Sequence, residues 1–575
     1  KVLFMQKKWV FPEKIDNRTV SDLASKLNAP KVIAEILINR GIDSNEEAKR
    51  FFNPKLSDLN DPFLMKNMKN AVDRIQEALK NREKIMIYGD YDVDGITACS
   101  LLYIYFREMT DQVFFFIPER LKDGYGFSMH GVEEAKKLGI SLLITVDCGI
   151  TSIEEVRASR EFGMDVIVTD HHQPGTELPD ALAILNPLQV DCEYPFKGLS
   201  GVGVAFKLVH AINMVIGRDM NHLMQYADLV AIGSAADVVP LVDENRILVR
   251  AGLERINDRK NIGLNALLSV ALLKNSFIGT GQILFGIAPR INAVGRLGSA
   301  ERAVNLFTAN EMSKAYEIAH VLEQENQQRK SIEEETFNEA MQLAESEFES
   351  GLKEPLVLYK DGWHPGVIGI VASRLVEKFF RPVVMVAFEE GVGKGSVRSV
   401  PDFDVYDALK NCGQYLKEYG GHKLAAGLSV DEKNIVDFKK AFKTITRETL
   451  TDEILIPKLS IEAIITLDKI DARLYEILRH FAPFGPQNTR PVFIIKGAQV
   501  AGNPTIVGKN HLKFNVSQNG STMPAIGFNM GNRINEVEKF RNKLEIAFVV
   551  DENTWRGTTT LQLQVKDIRE NILDN

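Results

Sequence analysis

The sequence contains few cysteines and no long apolar run. Its four cysteines (Cys99, Cys148, Cys192 and Cys412) are scattered and form no CxxC pair, so a disulfide framework is not expected. No apolar stretch approaches the roughly 20 residues that cross a bilayer, and no membrane partner is predicted. The first residues lack the apolar core of a signal peptide. These absences favour a protein of the reducing cytoplasm.

Motifs for a nucleophilic side chain are also missing. The chain has no Gly-x-Ser-x-Gly element and no pattern that pairs a cysteine with a histidine. Gly201-Val-Gly203 precedes an apolar helix, but it lacks the lysine of a P-loop and the full dinucleotide fingerprint. A tight turn at the start of a helix is the favoured interpretation, and a phosphate loop is the alternative.

The length and the net charge of the chain limit the number of domains and the kinds of partner that we expect. The 575 residues predict several domains, because a domain usually holds about 100–200 residues. The formal net charge is −8, which is unusual for a nucleic-acid-binding protein. Phosphate affinity depends on local basic patches, however, so the total charge does not exclude such a partner.

From residue 84 onward, short apolar runs alternate with helical patterns, which is typical of a parallel α/β sheet. The predicted strands are Ile85–Tyr88, Val113–Ile117, Leu142–Val146, Val166–Thr169 and Leu182–Leu185. Ligands of such sheets bind at the carboxyl ends of the strands. The polar residues at those ends are therefore the candidates for a functional site.

Acidic residues and histidines follow these strands. They are Asp90, Asp92, Asp94, Asp147, Asp170, His171 and His172, and Asp237 follows an apolar helix at Leu229–Ala236. Taken singly, each has a plainer role as a helix cap, a turn residue or a surface histidine pair. Together at one sheet edge, they predict a carboxylate and imidazole site for Mn²⁺ or Mg²⁺. So many ligands suit two ions about 3.5–4 Å apart, as in phosphoester hydrolysis.

The rest of the sequence predicts further structural regions. Residues 1–80 form an N-terminal helical segment, and residues 298–352 form a long, charged, solvent-facing connecting helix. Residues 353–452 return to α/β alternation, ending in a helix over Val405–Glu418. Residues 453–575 carry short strands that suggest a small barrel, and an oligonucleotide-binding barrel fits this pattern, although the sequence alone does not single out that topology. Most of its aromatic residues are expected to be core. The candidate contacts to a single strand are Phe493, Phe514, Phe528, Trp555, Lys509, Lys513 and Arg556.

Several motifs resemble those of a known superfamily. Asp90-Tyr-Asp-Val-Asp94, Val146-Asp-Cys-Gly149, Asp170-His-His172 and Ala236-Asp-Val-Val-Pro240 are similar to the four motifs of the DHH phosphoesterases. The further motifs resemble the RecJ exonuclease family within it: Asp123–Gly126, Leu199–Ala205, Pro289–Arg296, Trp363–Ile370, Arg398-Ser399, Gly420–Gly427 and Pro483–Pro486. The resemblance implies a parallel-sheet DHH domain over 81–297, a smaller α/β DHHA1-type domain over 353–452 and an OB-fold barrel over 453–575.

The resemblance also implies a ligand set for two Mn²⁺ or Mg²⁺ ions. Asp92 and Asp94 would each serve one ion, and Asp147 would bridge them. His171 and Asp237 would complete the second site, with Asp90 a further ligand and His172 a further catalytic residue. Small relatives carry a histidine before the Asp-x-Asp pair where this chain has Tyr88, which leaves one site short of a ligand.

For the substrate, the resemblance implies a set of residues from the later motifs. They are Arg290, Asn292, Arg296, Arg398, Ser399, Gly420, Gly421 and His422. Judged without the resemblance, Arg290 and Arg296 could equally form salt bridges between domains. Gly391-Val-Gly-Lys-Gly395, with Gly420 and Gly421, would let backbone approach a ligand closely.

The predicted function is that of a monomeric 5′-to-3′ exonuclease of single-stranded DNA that releases 5′-mononucleotides in recombination and repair. Its direction is implied by the resemblance alone, as are a single-strand-binding protein and a RecQ-type helicase as partners. One alternative is a phosphodiesterase for nano-RNA or cyclic dinucleotides, although a barrel and a long connector exceed what tiny substrates need. Another is a binding factor with a decayed site, against which the complete acidic set argues.

Overall fold

The computed structural model describes residues 7–571 apart from residues 121, 125, 349–353 and 556. Tyr125, Arg556 and the side chain of Trp555 therefore lie outside the described part of the chain. Two compact units are present, one of residues 59–456 and the other of residues 1–58 together with 457–575. Among the described residues, no helix is both long enough and apolar enough to cross a membrane.

The start of the chain belongs to the same unit as its end, an association that the sequence pattern does not predict. Strand β1 (Lys8–Val10) runs parallel to Lys458–Ser460. The helices that follow are α1 (Asn17–Leu27), α2 (Lys31–Asn39) and α3 (Asn45–Phe52). Ile33 and Leu37 of α2 share one apolar core with Phe493 and Phe548. Burial of this face explains why the segment is helical and amphipathic.

Five parallel strands form the first sheet of the 59–456 unit. They are β2 (Ile85–Gly89), β3 (Val113–Phe116), β4 (Leu142–Val146), β5 (Asp165–Thr169) and β6 (Ala183–Leu185). Their order in space is β3-β2-β4-β5-β6. Each predicted strand is confirmed to within one residue at either end, because short apolar runs are typical of the strands of a parallel sheet.

Helices surround this sheet and continue beyond it. They are α4 (Met68–Asn81), α5 (Val93–Arg107), α6 (Met129–Leu138), α7 (Ile153–Glu161), α8 (Gly201–Ile216), α9 (Met220–Met224), α10 (Ala227–Ala236), α11 (Asp243–Asn257), α12 (Ile262–Val270), α13 (Thr280–Gln282) and α14 (Ala288–Leu297). A π-helical segment, Ile283–Ile287, joins α13 to α14. Helices α5, α8 and α10 are buried on nearly every side. The starts of α5 and α8 and the end of α10 carry the candidate site.

The connecting region differs from its prediction in two respects. It contains α15 (Glu301–Phe307) and the long α16 (Met312–Phe348) rather than one continuous helix. Thr308 and Asn310, which have low helix propensity, lie at the break. Helix α16 is also not wholly solvent-facing, because Ala315, Ala319 and Leu322 are buried against the first domain.

A second, mixed sheet follows α16. Its strands are β7 (Leu356–Asp361), β8 (Val383–Glu389), β9 (Val392–Arg398), β10 (Glu418–His422) and β11 (Ala425–Asp431), with helices α17 (Pro365–Phe379), α18 (Val405–Lys410) and α19 (Ile435–Thr449). The order is β10-β11-β9-β8-β7. The predicted helix over Val405–Glu418 is wrong beyond Lys410. The N–H of Lys417 donates to the carbonyl of Ser429 (2.8 Å), so pairing with β11 overrides the local helical pattern.

The C-terminal region forms the predicted barrel. Its elements are β12 (Lys458–Ser460), β13 (Ala463–Ile464), α20 (Ala472–Arg479), β14 (Phe493–Val507), β15 (His511–Gln518), β16 (Ser521–Gly527), α21 (Ile534–Lys539), β17 (Leu544–Trp555) and β18 (Thr558–Glu570). Pairing of β14 with both β15 and β17 closes a five-stranded barrel. Phe493 and Phe514 are core residues, whereas Phe528 is half exposed.

Candidate metal centre

The loop after β2 brings three aspartates to the start of α5. Asp92 caps this helix, because its carboxylate accepts hydrogen bonds from the N–H groups of Asp94 (2.9 Å) and Gly95 (3.1 Å). Asp90 is buried, and its Oδ1 has no hydrogen-bond partner among the described residues. Burial, and then the charge of Asp92, raise the pKa of Asp90 well above its ordinary value. Capping therefore accounts for Asp92 but leaves Asp90 unexplained.

Asp94 is held by the start of α8. Its two carboxylate oxygens accept hydrogen bonds from the N–H groups of Gly201 (2.7 Å) and Val202 (2.9 Å). A helix N-terminus stabilises a negative charge in this position. Burial and the charge of Asp92 nevertheless raise the pKa of Asp94 to about 7. Gly201-Val-Gly203 is thus the predicted tight helix start, and its amides bind an internal carboxylate, which sequence reasoning missed.

Asp147 stands at the centre of the cluster. It follows β4 with a left-handed backbone (φ 61°), and its N–H donates to the carbonyl of Thr169 (2.9 Å). Its Oδ1 lies 3.1 Å from Nε2 of His171. Neither of these two buried atoms has a hydrogen-bond partner in the described part of the chain. Burial and the charges of Asp94 and Asp92 raise the pKa of Asp147 well above its ordinary value.

His171 also faces Asp237 and Asp94. Its Nε2 lies 3.5 Å from Oδ2 of Asp237 and 3.9 Å from Oδ2 of Asp94. Burial and the neighbouring His172 lower the pKa of His171 to about 4, so its imidazole is neutral and able to bind a cation. Asp237 ends α10, and burial with the charges of Asp94 and Asp92 raises its pKa to about 9.

Asp170 organises the histidine pair. Its Oδ1 accepts hydrogen bonds from the N–H groups of His171 (2.7 Å) and His172 (3.1 Å) and lies 2.7 Å from Nδ1 of His172. Burial lowers the pKa of His172, but the hydrogen bond and charge of Asp170 outweigh burial and raise it to about 9. Sequence reasoning placed Asp170 in a motif without assigning it a role. Its position directly after β5 was the available signal.

Three groups of ligand atoms could hold cations. Within each group the atoms lie within 4.8 Å of one another: Asp90, Asp92 and Asp147; Asp94, His171 and Asp237; Asp147, His171 and His172. Oxygen and imidazole donors of this kind suit Mn²⁺ or Mg²⁺. The unpartnered atoms of Asp90, Asp147 and His171 are where such an ion would satisfy a buried polar group. The donor set therefore fits a divalent cation.

Tyr88 does not take part in this donor set. Its hydroxyl donates to the carbonyl of Gly126 (3.0 Å) and lies 3.2 Å from the hydroxyl of Ser128. Burial raises the pKa of Tyr88 well above its ordinary value, so the phenol stays neutral. The residue that replaces the histidine of small relatives is thus a packing residue.

Two of the predicted substrate residues, Arg296 and Arg398, lie against α17. Arg296 donates to the carbonyl of Gly366 (2.8 Å) at the start of this helix. An added Cβ at Gly369 would lie 3.0 Å from a terminal nitrogen of Arg398. Burial, and then the charges of Arg120, Arg329 and Arg398, lower the pKa of Arg296 to about 10. The first turns of α17 thus contact both guanidinium groups.

Arg290 has internal partners instead. Its Nε lies 2.5 Å from Oε2 of Glu323, and it donates to the carbonyl of Gly286 (2.5 Å). These contacts join α14 to the connecting helix α16, so they form a salt bridge but not the one between domains that the alternative names. Asn292 lies on α14, half-buried.

The remaining predicted contacts lie on or beside β9 and β10. The hydroxyl of Ser399 donates to the carbonyl of Phe403 (2.9 Å). Gly420, Gly421 and His422 are exposed in β10. Gly393 and Gly395 lie in β9, where an added Cβ would come within 2.6 Å of Val386 and Leu428, so these glycines permit strand packing.

Arg120 is a further candidate that sequence reasoning missed. Its guanidinium lies 5.4 Å from the ring centre of Tyr91, which stands between Asp90 and Asp92 in the chain. Its charge affects the pKa values of Asp90, Arg296 and Arg398. It follows β3, so strand-end position was again the signal.

Comparisons with known proteins agree with this arrangement. The chain matches the DHH family N-terminal domain over residues 84–234, the DHHA1 domain over 353–448 and the RecJ OB domain over 461–567. It is 38% identical to the single-stranded-DNA-specific exonuclease RecJ of Bacillus subtilis, over 96% of this chain and 70% of that protein.

Solved structures are similar too. The crystal structure of RecJ from Thermus thermophilus in complex with Mn²⁺ has a TM-score of 0.84 at 30% identity, covering 98% of this chain and 79% of that one. The complex of the same protein with Mg²⁺ has a TM-score of 0.77 at 27% identity and covers 98% and 78%. The chain therefore belongs to the RecJ family of single-stranded-DNA-specific exonucleases.

Proposed function

We propose that the protein hydrolyses single-stranded DNA from its 5′ end and releases 5′-mononucleotides. The observation that carries this proposal is the pair of unpartnered buried atoms, Asp147 Oδ1 and His171 Nε2, at the centre of an acidic cluster. Unneutralised carboxylates so close together are costly unless a cation binds between them. The 5′ direction is taken from the family resemblance.

Two ions are proposed, with Asp147 shared between them. Asp90, Asp92 and Asp147 would hold one ion, and Asp94, His171 and Asp237 would hold the other. The N-terminus of α8 and the cap on α5 fix the two carboxylates of the Asp-x-Asp pair in different directions. Each therefore faces its own site.

Bound ions of this kind activate a water molecule and neutralise phosphate charge. The protein contributes orientation. Asp170 fixes the ring of His172, whose Nδ1 lies 2.7 Å from Oδ1 of Asp170. A ring held in this way would keep one orientation toward the ions and the scissile phosphate.

The substrate's terminal phosphate is proposed to bind between Arg296, Arg398 and Arg120. These three cations repel one another, as the lowered pKa of Arg296 indicates, and an anion would relieve that repulsion. The first turn of α17 lies beside Arg296, which donates to the carbonyl of Gly366. Asn292, Ser399, Gly420, Gly421 and His422 remain proposed contacts from the resemblance. Arg290 is proposed to support α14 through Glu323.

One digestion tests the proposal. A single-stranded DNA, labelled separately at each end, is incubated with the protein and Mn²⁺, with EDTA, and with the Asp147→Ala variant. Immediate release of 5′-labelled mononucleotide, abolished by EDTA and by the substitution, is expected. Release from the 3′ label first would overturn the direction.

A second arm separates the alternative functions. Hydrolysis confined to dinucleotides and nano-RNA would indicate the short-substrate phosphodiesterase. Binding of DNA without metal-dependent cleavage would indicate a binding factor. A matched control is Asp165→Asn, at the opposite end of β5 and paired with Arg74, which should leave cleavage unchanged.

The cellular location and the protein partners are proposed from fewer observations. The four cysteines are all buried and unpaired, which supports a reducing cytoplasm. A single-strand-binding protein, a RecQ-type helicase and a monomeric state are proposed from the family resemblance. Co-purification with each partner, and light scattering for the mass, would test them.

A further inference from the structure

Phe285 is exposed on a helix that otherwise packs into the core. Its exposed fraction is 83%, whereas Ile283 and Ile287 on either side of it are fully buried. These residues form the π-helical segment that leads directly into α14. Single exposed apolar residues are common on protein surfaces, so exposure alone does not indicate a function. A second feature that indicates a function is the position of Phe285 on the same helix face as Arg296.

Four residues that are at least partly exposed form one stripe along this helix, apart from Leu284, Gly286 and Leu297, which are also partly exposed. Phe285, Pro289, Asn292 and Arg296 are at least partly exposed, while Ala288, Ile291, Ala293, Val294 and Gly295 are buried. The spacings of four, three and four residues place the stripe on a single helix face. Arg296 therefore lies at one end of the stripe and Phe285 at the other.

The two ends of the stripe carry different chemical groups, and a nucleic-acid strand offers a partner for each, namely a phosphate and a base. At one end Arg296 and Arg398 both lie against α17, Arg296 through the carbonyl of Gly366 (2.8 Å) and Arg398 beside Gly369. Two such guanidinium groups are suited to a phosphate. At the other end an aromatic ring faces solvent with no ring contact recorded among the described residues. Exposed rings that follow a cationic groove are the platforms on which unpaired bases stack.

Helix geometry sets the distance between the two ends. Eleven residues rise about 16 Å along a helix. A single strand covers that distance in roughly three to five nucleotides.

We propose that Phe285 stacks on a base of the single-stranded substrate, about three to five nucleotides from the phosphate bound at Arg296. This inference rests on the proposed function. It assigns Phe285 a role in substrate length selection, because a dinucleotide would bind at the cations without reaching the ring. Longer strands would gain the stacking interaction.

The test compares substrate lengths. Initial rates are measured for a 5′-phosphorylated dinucleotide and a 12-nucleotide single strand with wild type and Phe285→Ala. The variant should show roughly 5- to 100-fold lower kcat/KM on the 12-mer, as expected for one lost stacked base. Its rate on the dinucleotide should be unchanged.

Further variants separate stacking from folding. Phe285→Tyr keeps a ring and should retain the wild-type rate on the 12-mer. Phe285→Leu keeps an apolar side chain without a ring and should show the same loss as Phe285→Ala. Phe162→Ala is the matched control, because Phe162 is a partly exposed phenylalanine at the end of α7 and should behave as wild type.

The outcomes are distinguishable. Equal losses on both lengths would overturn the inference, since Phe285 would then only support α14. An unchanged rate on the 12-mer would overturn it as well. If the wild-type protein cleaves neither substrate, the proposed function fails rather than the role of Phe285.

Discussion

Gly233 lies where helix α10 passes closest to Asp94. A Cβ added there would lie 2.4 Å from Oγ1 of Thr97 and 2.7 Å from Oδ1 of Asp94. Real Cβ atoms do not approach other atoms so closely, so the carboxylate would have to move. The absence of a side chain at this residue is therefore part of the metal site.

We predict that Gly233→Ala lowers exonuclease activity by roughly 100-fold, the scale found when a group that orients a metal ligand is lost. The displaced Asp94 would bind its ion poorly. Activity and Mn²⁺ affinity, measured together, check this prediction. Gly281→Ala is the control, because an added Cβ there meets nothing within 4 Å. Equal activity in the two variants would contradict the prediction.

His210 gives a residue-scale prediction for pH. Its side chain is buried in α8, and Nδ1 has no hydrogen-bond partner among the described residues. Burial, and then the charge of Lys207, lower the pKa of His210 to about 4, while Glu244 and Asp61 act in the opposite direction. Its pKa in the unfolded chain is about 6.5.

Between pH 6.5 and 4 the unfolded chain thus binds a proton that the folded chain does not. The free energy of unfolding should fall as the pH drops through this window. From pH 7.5 to pH 5 the wild type should lose on the order of 2 kcal/mol more than His210→Gln. Urea denaturation of both proteins at the two pH values checks this. Parallel losses would show that His210 titrates normally in the folded state.

Among secondary structure elements, α8 and α10 are joined by a hydroxyl pair. The side chains of Ser200 and Ser234 are fully buried, with their oxygens 2.7 Å apart. Ser200 also caps α8, whose amides hold Asp94, and α10 ends at Asp237. The pair therefore links the helices that position two ligands of one proposed ion.

We predict that Ser234→Ala weakens Mn²⁺ binding about fivefold, which corresponds to about 1 kcal/mol for one buried hydrogen bond. Titration calorimetry with Mn²⁺ measures the change. Ser159→Ala is the matched control, because among the described residues the hydroxyl of this buried serine bonds only to the carbonyl of Glu155 in its own helix. The same affinity in both variants would show that the pair supports folding alone.

The elements also show which parts of the structure follow from the sequence. Strands β2 to β6 were predictable because a buried parallel strand must be a short apolar run. Their order along the chain then places Asp90, Asp147 and Asp170 at one edge. The end of α18 was not predictable, because residues after Lys410 turn toward β11 through a tertiary contact that no local pattern encodes.

The residues of the candidate site also divide into those that the sequence predicts and those that it does not. Motif residues such as Asp147 and His171 stand out by type and position. The amides of Gly201 and Val202 do not, because a backbone donor has no sequence signature of its own. Arg120 was missed because its role depends on the approach of Arg296 and Arg398, which lie about 180 and 280 residues further along the chain.

For the whole molecule, the division of the chain into two units predicts its unfolding behaviour. The 59–456 unit contains the metal cluster, whereas residues 1–58 and 457–575 contain the barrel. Apolar cores within the two units share no residues. Proteins of more than one compact unit depart from two-state unfolding, and a single unfolding free energy is not defined for them.

We therefore predict two calorimetric transitions, of which Mn²⁺ raises only one. A ligand that binds only the folded state stabilises it by about 2.7 kcal/mol when its free concentration is 100 times Kd. That transition should belong to the 59–456 unit, because all proposed ligands lie there. In Asp147→Asn neither transition should respond strongly to Mn²⁺, since the carboxylate shared by both ions is gone. A single transition raised by Mn²⁺ in the wild type would mean that the two units unfold together, so that metal binding stabilises the barrel as well.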